Sequence, residues 1–241
     1  MDEYIIELTP FEKEIDALLR KSGFFLQTYR AIDALSVLEH AQRMIEEKEV
    51  KWQVKAALYR NMAQAKYQLG HFEEAMSHFI QSYEILEDGN DKAAAAGMIA
   101  GYYLRNGNLD DAAVWTDKAE ETATEPELMA GPYQIRGGIA DAKDDYPKAI
   151  ELLNKAAALA EESHCLTDVA MYISDIAAVY VRMGMLETAL SEMYRAERYA
   201  KECRNLDLFF RFAIRRAKIL YKMGKDEEAK KLIMALDEQK N

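Results

Sequence analysis

Four glycines punctuate this 241-residue chain at Gly70, Gly107, Gly184 and Gly224, and each is followed five residues later by an alanine: Ala75, Ala112, Ala189 and Ala229. A fifth copy carries Asp144 in place of the glycine, ahead of Ala149. Seven residues before each breaker stands a small residue: Ala63, Ala100, Gly137, Ala177 and Ala217. Seven residues after the alanine, three copies place a second alanine (Ala119, Ala156, Ala196), and the other two place Ser82 and Leu236. A glycine takes the left-handed conformation that ends a helix without a Cβ penalty. Acidic residues just beyond it, Glu73 and Glu74, Asp110 and Asp111, Glu227 and Glu228, suit the positive end of a new helix. Each unit therefore reads as helix, tight turn, helix. Alanines at fixed offsets let two helix backbones approach closely where they cross, with Tyr103, Tyr180, Phe79, Leu153 and Met193 filling the grooves around them.

The alanine spacing is 37, 37, 40 and 40 residues. A weaker copy precedes, with Ala34, Leu38 and Ala41 on the segment Phe24–Glu47. Thr9 with Glu12 forms a capping box, Pro10 sits at the first helical position, and a helix is expected over Pro10–Lys21. Asn108 is the expected N-cap of the segment that follows Gly107. Strand signals are confined to Tyr4–Leu8. The pattern predicts an all-α fold, an α-solenoid of about six antiparallel helical hairpins occupying residues 1–241 as one domain. Within it, 10–50 forms an atypical N-terminal hairpin, 53–224 the core repeats, and 225–241 a capping helix with Leu232, Ile233 and Leu236 as its buried stripe.

This punctuation resembles the tetratricopeptide repeat (TPR). That family has a large-small pair, an aromatic, a glycine, an alanine, a large residue and a second alanine. Ile99-Ala100, Tyr103, Gly107, Ala112 and Ala119 match, as do Ile176-Ala177, Tyr180, Gly184, Ala189, Met193 and Ala196. Met62-Ala63, Gly70, Ala75 and Phe79 match with Lys66 replacing the aromatic, and Arg136 and Arg216 depart at the large position. The units exceed the family's usual period of about 34. In their length they resemble the arrays of peptide-sensing bacterial regulators and of cell-polarity scaffolds. The resemblance implies a TPR-like superhelix whose first helices line a concave binding surface.

Helical offsets from the packing alanines then select the groove residues. They are Arg60, Asn61, Gln64, Tyr67 and Gln68; Gly97, Met98, Gly101, Leu104 and Arg105; Gln134, Ile135, Gly138 and Asp141; Ser174, Asp175, Ala178 and Arg182; and Arg211, Arg215, Lys218 and Lys222. Asn61 matches the groove asparagine with which TPR arrays hold a peptide backbone, its amide both donating and accepting. Gly97, Gly101 and Gly138, walled by Met98 and Leu104, are expected to seat a bulky ligand side chain. The family's chaperone-tail carboxylate clamp is not reproduced, since Arg60, Gln64, Met98, Gly138 and Ala142 occupy its places.

Charge separates along the chain. Residues 1–200 carry a net −15 and residues 201–241 a net +4, within an overall −11. Arg211, Arg215, Lys218 and Lys222 recur at four, three and four residues and form one stripe on one helix. A positive groove end predicts a partner that is acidic where it meets the last repeat. The net charge argues against nucleic acid. No stretch reaches the ~18 apolar residues that cross a bilayer. Met1–Leu8 is acidic and short, so no secretory signal is expected, and two cysteines, Cys165 and Cys203, fit a reducing cytoplasm. His71 and His78 read as surface residues rather than metal ligands, and His164-Cys165 lacks an orienting acid. No phosphate loop or nucleophile elbow is present. The sequence thus reads as a non-enzymatic adaptor without a cofactor, binding a peptide or helix of another protein. The alternative is a sensor module that binds a small signalling peptide and acts on a separate effector chain.

Overall fold

The computed structural model describes residues 8–87 and 89–240. They comprise twelve α-helices and one 3-10 turn, without a strand among the described residues. The extended piece expected at Tyr4–Leu8 lies outside them except for Leu8, which has no regular structure. The chain divides into two compact units between Ile99 and Ala100.

The first unit contains α1 (Pro10–Gln27), α2 (Ala31–Glu47), α3 (Trp52–Gln68), α4 (Phe72–Ile85) and the start of α5 (Asn90–Arg105). The capping box at Thr9 forms as the sequence predicts: Glu12 N donates to Thr9 Oγ1 at 3.2 Å, and Thr9 N donates to Glu12 Oε2 at 2.8 Å. The helix it opens runs six residues further than expected, to Gln27. Glu12 also accepts the Lys51 backbone N–H at 2.9 Å, which ties the start of α1 to the start of α3. These backbone donors hold its carboxyl below the usual value of 4.5. Ile15, Leu19, Leu38, Leu58 and Met62 form the core between the three helices.

The second unit holds the rest of α5, α6 (Leu109–Thr122), a 3-10 turn at Pro126–Met129, and three successive hairpins. These are α7 (Ala130–Ala142) with α8 (Tyr146–Glu162), α9 (Leu166–Arg182) with α10 (Leu186–Glu202), and α11 (Leu206–Lys222) with α12 (Asp226–Lys240). Each hairpin turns as the glycines dictate. Gly184 has φ +76°, and the Met185 N–H reaches back to Tyr180 O at 2.9 Å, closing the end of α9. Asp144 takes the same left-handed conformation at φ +61°. So do His164 and Arg204, which end α8 and α10 at equivalent places. Asn108 stands at its cap position, but its side chain makes no capping bond.

The paired small residues are buried at the crossings: Ala177 with Ala189, Ala217 with Ala229, and Ala63 with Ala75. Phe212, Met193 and Ile173 fill the spaces around them, each contributing about 2–3 kcal/mol of burial. In α12, Leu236 and Ala229 face the protein, whereas Ile233, expected in the buried stripe, is 46% exposed. Gly137 shows how tight a crossing is. A Cβ there would lie 2.9 Å from Leu153 Cγ and 3.3 Å from the Ala149 carbonyl, whereas one at Gly97 would meet nothing within 4 Å. Gly97→Ala should therefore raise the unfolding free energy by up to about 1 kcal/mol through helix propensity. Gly137→Ala should lower it by about 1 kcal/mol or more through overpacking. Urea titrations of the two variants check the opposite signs.

Candidate functional site

Helical periodicity brings the polar residues of the first helices onto one side, and the structure shows what they do there. In α3, α9 and α11, the residue two before the small crossing residue (Asn61, Asp175 and Arg215) bonds back to the preceding first helix. Asn61 Nδ2 donates to Ser22 Oγ at 3.0 Å and to Leu19 O at 3.2 Å. Gln134 Nε2 donates to Asp175 Oδ2 at 2.8 Å. Arg215 Nη1 donates to Ser174 Oγ at 2.7 Å and lies 3.9 Å from Asp175 Oδ1. In α3 and α9, the residue five after the small one does the same. Gln68 Nε2 donates to Leu26 O at 2.9 Å, and Arg182 grips Asp141 with two bonds, Nε to Oδ1 at 2.6 Å and Nη2 to Oδ2. Much of what the sequence offers as free groove polarity is already committed to tying successive helices together.

Of the groove residues selected from sequence, those in the second unit come together. Gly101, Leu104, Arg105, Gln134, Gly138, Asp175, Arg182, Arg211 and Arg215 line one cleft of ≈ 550 Å³. Asp175, Arg182, Arg215, Lys218 and Lys222 line another of ≈ 520 Å³ between α9 and α11. Ala178 belongs to both. In the first unit, Arg60 and Met98 line a smaller cleft of ≈ 210 Å³ with Trp52. Gln64 is half-buried. Tyr67 packs edge-on against Phe72, its ring 6.4 Å away. Asn61 and Gln68 face α1, so both amide hydrogens of Asn61 are occupied within the protein.

The expected glycine seat is filled at Gly138 by the protein itself. A Cβ there would come within 2.5 Å of Leu104 Cδ2, so Leu104 is an occupant rather than a wall. At Gly101 the nearest atom is a guanidinium nitrogen of Arg105, 3.7 Å from the Cβ position, and that guanidinium stacks on Tyr102.

The two arginines that depart from the repeat's large position have a common explanation. Arg136 Nε donates to Glu120 Oε1 at 2.7 Å, and Arg216 Nε donates to Glu197 Oε1 at 2.6 Å. Both glutamates directly follow the second alanine of the preceding unit, Ala119 and Ala196; of the other units only the last has an acid there, Asp237. The substitution at the large position and its compensation were thus both present in the sequence. Burial pushes the Glu197 carboxyl above its usual 4.5, and Arg216 opposes that shift. Arg216→Met should remove about 3 kcal/mol of stability at neutral pH by leaving a buried carboxylate unpaired. A raised folded-state pKa makes the charged form the costly one. The variant's deficit against the parent protein is therefore largest above that pKa and shrinks as pH falls toward 4.5. Urea midpoints of both proteins at about pH 7.5 and about pH 5 read the sign.

The His78 ring of α4 stacks on Tyr59 of α3, centroids 6.0 Å apart. His71 Nδ1 lies 2.8 Å from Glu74 Oε1, and His78 Nδ1 lies 3.1 Å from Gln81 Oε1. Cys165 is exposed, and Cys203 accepts a contact from Thr167 Oγ1 at 3.7 Å. No helix among the described residues is long and apolar enough to cross a membrane.

No family model matches the chain, and no curated protein matches its sequence. The fold, in contrast, has solved counterparts. Aspartyl phosphate phosphatase F from Bacillus subtilis superposes with a TM-score of 0.68 at 17% identity, covering 92% of this chain and 68% of that one. NprR in complex with its cognate peptide NprX superposes with a TM-score of 0.69 at 13% identity, covering 96% and 68%. A thermophilic TPR protein from Thermus thermophilus superposes with a TM-score of 0.61 at 21% identity, covering 83% and 97%. The chain has the all-α, TPR-like helical-repeat fold.

Proposed function

We propose that this protein is a protein–protein interaction adaptor whose ligand, a peptide or a helix of another protein, lies along the first helices of residues 100–241. The observation that carries the reading is the pair of clefts that meet at Ala178, floored by Ile135, Met171, Val179, Val181, Met193 and Ile219 and rimmed by polar side chains. Their walls are braced in advance by the Gln134–Asp175, Ser174–Arg215 and Asp141–Arg182 bonds, so a ligand would meet a surface that is already ordered. Those same bonds favour binding over catalysis, because the acids and bases of the clefts are held by one another rather than aimed at a substrate. The excess of cations on α11 favours a ligand that is acidic where it meets the last repeat, and the acidic remainder disfavours nucleic acid. Free thiols at Cys165 and Cys203 fit a cytoplasmic setting.

The second reading, a sensor for a small signalling peptide acting on a separate effector chain, is favoured by one observation. NprR, of similar fold, is solved with a cognate peptide bound.

Both readings are tested by selecting binders from a displayed random-peptide library and measuring them against two variants. Ala178→Arg, which fills the junction of the clefts, should weaken binding by about tenfold or more while the melting temperature stays close to that of the parent. Asn154→Arg, on the exposed face of α8, should leave it within roughly twofold. Equal binding by the two variants would place the ligand elsewhere.

A further inference from the structure

The Arg182–Asp141 tie between α7 and α9 has no counterpart between α9 and α11. Five residues after the crossing, Arg182 of α9 meets Asp141 of α7. One repeat later, the equivalent cation is Lys222 of α11, and the position equivalent to Asp141 is Val181. Lys222 forms no ion pair among the described residues, and neither does Lys218, one turn before it on the same face. Both lysines line the ≈ 520 Å³ pocket between α9 and α11, whose apolar lining is Ala177, Ala178, Val181, Met193 and Ile219. The other cations there are occupied: Arg182 by Asp141, and Arg215 by Ser174 and Asp175. The one acid of the pocket, Asp175, is held by Gln134 at 2.8 Å. It leaves the Lys218–Lys222 side as the place where an incoming anion meets uncompensated charge.

We propose that this pocket receives the C-terminal carboxylate of a peptide, with Lys218 and Lys222 holding the carboxylate and Val181, Met193 and Ile219 holding the last side chain. The proposal rests on the peptide-binding reading above and gives the ligand a direction. Two lysines at i,i+4 repel by a few tenths of a kcal/mol, and an anion between them removes that cost while forming charge-assisted bonds. An apolar surface beside the amines selects a carboxylate carried next to an apolar group. A terminal carboxylate meets that demand, since it shares its Cα with the last side chain. An aspartate or glutamate carboxylate instead sits at the end of its own polar side chain.

The test is methyl NMR of Val181, Met193 and Ile219 in the full chain, titrated with three probes. N-acetyl-leucine should produce saturable shifts at these methyls. N-acetyl-leucinamide should bind about tenfold more weakly, as expected for loss of one bond to a charged group. N-acetylglutamic acid α-amide, whose only carboxylate is on its side chain, should be weakened similarly. The exposed double change Lys218→Ser with Lys222→Ser should abolish the preference for acid over amide. Equal shifts from acid and amide, the absence of shifts with N-acetyl-leucine, or a preference unchanged in the double variant each overturn the carboxylate site. Binding of the glutamate probe as strong as that of N-acetyl-leucine overturns its assignment to a chain terminus. Library-selected peptides that keep their affinity when amidated, yet lose it with Ala178→Arg, would retain the groove and reject this end of it.

Discussion

The structure depends on how closely two helices can pass. At each crossing a buried alanine, or Gly137, stands where a larger residue would hold the backbones apart, and at Gly137 there is no room even for a Cβ. Once the hairpins are drawn together, the first helices of successive units lie within reach of a single side chain. In α3, α9 and α11, residues two before or five after the crossing, seven apart and therefore on one face, then bond backwards to the previous first helix. Packing of small residues and polar ties between helices are two consequences of one spacing. The groove is the surface they leave between them.

Its ingredients were unevenly legible in the sequence. The breakers, the crossing residues and the Thr9–Glu12 capping box act over a few residues, so local rules recover them, and with them the twelve helices and their pairing into hairpins. The direction of a groove side chain depends on a neighbour about 40 residues away, which helical offset alone does not reveal. Asn61 and Gln68 show the difference: the offset puts them on the ligand face, and the carbonyls of Leu19 and Leu26 draw them back to α1. Gly138 shows it too, because the residue that fills its space, Leu104, belongs to the preceding first helix. Ile233 followed the apolar stripe of its helix, but its counterparts Met193 and Leu153 are buried by a following first helix, and Ile233 has no such helix over it among the described residues.

Departures from the repeat carry information of another kind. Arg136 and Arg216 look like defects of the large position until Glu120 and Glu197 are placed opposite them. Polar pairing there replaces apolar packing in two of the units, and the chain records both partners. The Val181–Lys222 pair has the opposite character, a cation with no acid opposite it. A paired departure stabilises the stack. An unpaired one leaves charge for something outside it, and it falls in the segment where the chain's net charge turns positive.

In this account the first helices of residues 100–241 face the ligand because the second helices are occupied in packing. Hydrogen–deuterium exchange of the protein with and without a library-selected peptide measures this directly. The account predicts slowed exchange along 134–142, 171–182 and 211–222, with α8, α10 and α12 little changed. Protection concentrated on α8 and α10, with the first helices unaffected, would contradict it.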